Sequence, residues 1–114
     1  MLKQRDVVLI PIPFTDLTSQ KKRPAVIVSS DSYNATHEDI VVVALTSNIE
    51  PRDFSVSVTS DDLEVGILKV PSIIRVDKIY TLNKTIVVQV FGRVTHDILR
   101  KINEHLLVLT EQVP

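Results

Sequence analysis

Cysteine and tryptophan are absent from the 114-residue sequence, and glycine occurs only twice, as Gly66 and Gly92. Without cysteine there is no disulfide framework, no thiolate nucleophile and no cysteine-ligated metal. Two isolated glycines cannot build a glycine-rich phosphate loop, which argues against nucleoside-triphosphate hydrolysis and dinucleotide chemistry. No serine stands at a nucleophile elbow. Histidine is scarce, and His37, His96 and His105 are scattered, with no pair at helical ligand spacing. No metal or other cofactor is therefore expected. The acidic cluster Asp61, Asp62 and Glu64 lacks the alternation and central glycine of a calcium loop and reads as a solvated turn. An excess of basic charge is missing too: 13 Lys and Arg against 14 Asp and Glu give a net charge of −1. Any contact with nucleic acid must then rest on a local basic patch. Long apolar runs are also lacking. The N-terminal MLKQRDVVLIPIPF is too short to span a membrane, is broken by Pro11 and Pro13, and is followed by no small-residue cleavage site. A cytoplasmic protein is expected.

What the chain does have is valine, isoleucine and threonine in short runs, with 44% hydrophobic residues overall. That composition suits one compact domain over residues 1–114, in a size range where dimerisation would add stability. Asp6–Ile12 reads as a buried strand and Pro13–Lys22 as a polar turn. Pro24–Ser30 is a second strand, with proline at its start where no interior ladder bond is lost. Asp31–Glu38 reads as a loop. Ile40–Thr46 is apolar on both faces and so predicts a central strand. Residues 54–59 alternate strictly, as a strand with one wet face does. Ser60–Gly66 reads as a turn and Ile67–Val70 as a short strand. Ser72–Leu82 is a long strand, joined tightly through Asn83 and Lys84 to Thr85–Val90. Gly92 marks a bulge or a close backbone approach. Thr95 caps a terminal helix, Asp97 complements its dipole, and Ile98, Ile102, Leu106 and Leu109 form its apolar stripe. The expected fold is mainly β, a small barrel or half-open sandwich of about five to seven antiparallel strands with a C-terminal helix.

The chemistry that remains sits at strand ends. In SQKKRPAVIVSS, Arg23 stands at the start of the second strand, and Thr46-Ser47-Asn48 ends the third. If these strands are antiparallel neighbours, Arg23 and Thr46 meet at one rim of the sheet. A guanidinium and a hydroxyl there can hold a phosphate, as in an RNA phosphodiester. The plainer alternative makes Arg23 a solvated strand-starter and Thr46-Ser47 a turn.

The order of several short motifs resembles the MazF/PemK family of toxin endoribonucleases from type II toxin–antitoxin systems. These are Asp6-Val7-Val8, the loop Pro13-Phe14-Thr15-Asp16, the run from Arg23 to Ser29, Leu45-Thr46-Ser47, Val70-Pro71-Ser72, the run from Asp77 to Leu82, and Gly92-Arg93-Val94. The resemblance implies an SH3-like barrel and a homodimer that cuts single-stranded RNA at short motifs without metal. It implies products ending in a 2′,3′-cyclic phosphate and a 5′-hydroxyl, and silencing by a cognate antitoxin protein. By the same resemblance Arg23 and Thr46 are the catalytic pair. RNA contacts would come from Lys21, Lys22, Ser47, Asn48, Phe14, Thr15 and Ser72. Phe14 and Tyr80 could stack on bases, although Phe14 reads equally well as a loop anchor. His37 is a weak candidate for general base. Where the family often has glycine before the first-strand aspartate, this chain has Arg5, and the loop before Arg23 is short and lacks glycine and glutamate. A barrel that binds nucleic acid or a partner without catalysis is the alternative reading.

Overall fold

The computed structural model describes residues 1–11 and 22–113. Phe14, Thr15 and Lys21 thus lie outside the described residues. The elements are β1 (Asp6–Pro11), β2 (Lys22–Ile27), α1 (Asp31–Thr36), β3 (Asp39–Thr46), β4 (Ser55–Val58), β5 (Leu63–Gly66), β6 (Ser72–Asn83), β7 (Gln89–Val94) and α2 (His96–Leu109). The strands form one curled antiparallel sheet in the order β4-β6-β3-β2-β1-β7-β5.

Alternation explains how this sheet buries both its faces. Val7, Val26, Val43 and Leu45 face one cluster, which Ile98 and Ile102 of α2 complete. Val8, Ala25, Ile27, Ile40 and Val42 face a second cluster that Leu2, Tyr80 and Leu82 help to close. Strands β1 to β3 are therefore apolar on both faces, and the central place expected for β3 is observed.

Two departures from regular pairing shape the sheet. On β6, Arg75 pairs with Ala44 while Ile79 pairs with Val43, so three residues intervene and the strand bends. Arg75 and Asp77 form a two-pronged ion pair at the bend. The hydrogen bond from Arg75 holds the Asp77 carboxyl below its usual pKa. Beside β1, Val7 pairs with Gly92 and Val8 with Val90, leaving Phe91 as the extra residue of a bulge. A side chain on Gly92 would press on the Val65 carbonyl at 2.9 Å, which is the close approach expected there.

Arg5 takes a φ of 81°, a left-handed conformation that glycine adopts without cost. Its backbone N–H donates to the Ile27 carbonyl, and its guanidinium bonds the Val94 carbonyl and Glu64. Arginine thus serves a glycine-like backbone position and also ties β5 to the start of β1. Asp6, 3% exposed, accepts hydrogen bonds from Arg93 and from the Lys3 N–H.

Several local expectations are corrected. Residues 31–36 form α1 instead of a loop, because the Ser30 hydroxyl accepts from the Tyr33 N–H and caps it. Buried Asn34 locks this helix to Ser29, and its carbonyl accepts from Lys84. The segment 60–66 is a short 3-10 turn followed by β5, not one turn, and 67–70 is loop. The last strand starts at Gln89, since Lys84–Ile86 winds into a 3-10 turn capped by the Asn83 side chain.

The terminal helix is as expected, with Thr95 accepting from the Ile98 N–H. Ile98 and Ile102 are buried, whereas Leu109 at the far end of the stripe is 37% exposed. Thr95→Ala should destabilise the fold by about 1 kcal/mol, measurable by urea unfolding. Unchanged stability would show that the cap does not hold the helix start. Among the described residues no helix is long and apolar enough to cross a membrane.

Candidate active site

The β2–β3 pairing decides what stands beside Arg23. Ala25 pairs with Ala44, Val26 with Val43 and Ile27 with Val42. Carrying that register two residues on sets Arg23 opposite Thr46. Both belong to the face of Ala25 and Ala44, so their side chains share one side of the sheet. The two strand ends form one wall of a pocket of about 410 Å³, lined there by Lys22, Arg23, Pro24, Leu45, Thr46 and Ser47. On the side of β3 away from β2, the loop into β6 also lines it, through Leu68, Lys69 and Val70, with Ser72 at its end.

Among the described lining residues of this pocket three are cations and none is a carboxylate. A chain of net charge −1 thus concentrates positive charge at one site. Arg23 is half-buried in its wall, whereas Lys22 and Lys69 are exposed. The Thr46 hydroxyl oxygen accepts from the Asn48 N–H at 3.1 Å. That bond uses a lone pair and leaves the hydroxyl proton available to donate. The same bond closes the turn after β3, so the threonine is oriented by its own backbone.

Of the residues singled out from sequence, the pocket brings together Lys22, Arg23, Thr46, Ser47 and Ser72. Asn48 does not line it: its side chain accepts from the Glu50 N–H and supports the turn. Ser72 is buried, and its hydroxyl donates to the Val70 carbonyl, shaping the loop. Tyr80 is partly buried, packs beside Val42 against the second core cluster and is not among the described lining residues of the pocket. His37 lies at the other end of β3 from Thr46, roughly 20 Å along the strand. It stacks on Tyr33, and its Nδ1 contacts the Tyr33 carbonyl at 3.1 Å. That position rules it out as a base for chemistry at Arg23. Lys69 is the residue that sequence reasoning missed. Its segment reads as a strand, in which one exposed lysine carries no signal.

The sequence profile of the family described as PemK-like, MazF-like toxin of type II toxin–antitoxin system matches residues 3–110. The chain belongs to this family. No curated protein matches it in sequence. Several solved structures are similar to it in fold. An endoribonuclease from a mycobacterial species, in complex with its cognate antitoxin, aligns over 100% of both chains at 25% identity and TM-score 0.78. A second mycobacterial endoribonuclease covers 99% of this chain and 95% of its own, at 25% identity and TM-score 0.76. MazF from Deinococcus radiodurans shares the fold, with TM-score 0.78 at 18% identity over 97% of each chain.

Proposed function

We propose that this chain is a toxin endoribonuclease that cuts single-stranded RNA at the pocket between β2, β3 and the loop before β6. The observation that carries the reading is that Arg23 and Thr46 line one pocket whose described lining holds cations and no carboxylate. The whole chain acts as one domain, as a homodimer in the cytoplasm, restrained by a cognate antitoxin protein. The family and the complex of the mycobacterial neighbour with its antitoxin support the antitoxin as partner.

The substrate supplies its own nucleophile. The ribose 2′ oxygen attacks the adjacent phosphorus and its proton leaves to solvent. The bond from phosphorus to the 5′ oxygen breaks, and that oxygen takes up a proton. A 2′,3′-cyclic phosphate and a 5′-hydroxyl result. What the protein must provide is in-line positioning and stabilisation of charge on the phosphorane. Arg23 offers a fork of donors to that charge, and Thr46 gives one neutral hydrogen bond to a non-bridging oxygen. Arginine stays protonated and cannot act as the base. Lys22 and Ser47 hold the flanking backbone.

The test is incubation of the pure protein with mixed-sequence single-stranded RNA in EDTA, followed by mapping of the ends. Motif-specific cuts with cyclic-phosphate termini are expected. Intact RNA after exposure to folded, antitoxin-free protein would refute the reading. In the same assay Thr46→Ala should slow cleavage roughly tenfold, the scale of one neutral hydrogen bond, and Thr46→Ser should restore most of the rate.

A further inference from the structure

We propose that Lys69 binds the backbone phosphate next to the scissile one. This deepens the ribonuclease reading and rests on it. A phosphodiester carries one negative charge, and Arg23 with Thr46 is sufficient to engage it. The described lining of the pocket nonetheless includes three cations. Lys22 adjoins Arg23 on β2, whereas Lys69 comes from the loop into β6, which lies across β3 from β2. An RNA strand laid in the pocket therefore passes between Arg23 and Lys69, and its flanking phosphate is the group of matching charge within the cleft.

The backbone around Lys69 is built to present it. The Ser60 hydroxyl accepts from the Leu68 N–H and donates to the Leu68 carbonyl, both at 2.8 Å. On the other side the Ser72 hydroxyl donates to the Val70 carbonyl at 3.1 Å. Leu68 is also packed against the first core cluster. Both neighbours of Lys69 are thus tied down, while Lys69 itself is exposed beside the pocket. A solvated turn has no need of such ties, whereas a phosphate contact gains from a fixed anchor point.

The experiment compares wild type, Lys69→Gln and Lys69→Arg on an oligonucleotide carrying the wild type's own cleavage motif. It has a single ribose at the cut and deoxyribose elsewhere. Lys69→Gln should lower kcat/KM roughly tenfold, the scale of a charged hydrogen bond at an exposed site. It should also reduce the slope of log kcat/KM against log salt by about 0.7, the increment for one phosphate on a single strand. Lys69→Arg should retain both values. A neutral methylphosphonate at the adjacent linkage should impair wild type and leave Lys69→Gln unaffected. A wild-type salt slope in Lys69→Gln, or equal losses in both proteins at every neutral linkage, would overturn the assignment while RNA cleavage itself stands. Wild type that cuts no RNA would instead remove the reading on which the assignment depends.

Discussion

Arg23→Ala should lower kcat for RNA cleavage by roughly 10²–10³-fold, with a smaller change in KM. The magnitude follows from what the side chain is asked to do. Charge on the phosphorane oxygens grows on the way to the transition state, so a fixed cation there acts more strongly on kcat than on binding. Lys22 and Lys69 line the same pocket but are exposed, and water screens them. Arg23 sits half-buried in the wall, where its charge is less screened. Arg23→Lys should recover only part of the loss, because an ammonium lacks the planar fork that grips two oxygens at once. Single-turnover cleavage of a labelled oligonucleotide separates the two parameters. A loss confined to KM, or a loss no larger than that of Thr46→Ala, would show that Arg23 serves binding alone.

That Arg23 and Thr46 would line one pocket was legible because antiparallel strands obey a simple geometric rule. Two apolar runs joined by a short polar segment lie side by side, and the start of one meets the end of the next. Their boundaries were soft, since β2 begins at Lys22 and ends at Ile27, yet the register needed only their relative order. The terminal helix was legible from its cap and stripe. Helix α1 was not, because its six residues, Asp31 to Thr36, carry no apolar period. What stabilises it is the Ser30 cap and the tertiary contact of Asn34 with Lys84, which is 50 positions away. Strand β5 was hidden for a related reason. Only Leu63 and Val65 are apolar in it, and its pairing with β7 is irregular between those two residues, where Glu64 takes the bond from Arg5. Lys69 fell in the same blind spot. Its place across β3 from Arg23 follows from where β5 ends and β6 begins, and short-range patterns do not carry that information.

The second large effect should come from the core, at a position far along the chain from Arg23. Ile102 is fully buried and, with Ile98, seats α2 on Val43, Ile74 and their neighbours. Ile102→Ala removes three carbons from a close-packed site and leaves a cavity lined by β-branched side chains, which collapse poorly around it. A loss of about 2–5 kcal/mol is expected. For a small domain with about 5–15 kcal/mol of stability, that is a large share. The urea midpoint should fall with an unchanged slope. Asn103→Ala, on the exposed side of the same helix, should shift stability by no more than about 0.5 kcal/mol. Catalysis should respond differently from stability. Leu45 points into the cluster that Ile102 completes, but Thr46 and Arg23 project from the other face of the same strands. Folded Ile102→Ala, assayed well below its melting point, should therefore keep its cleavage rate within a few-fold of wild type. A collapse of kcat without unfolding would mean that α2 positions the pocket as well as covering the core.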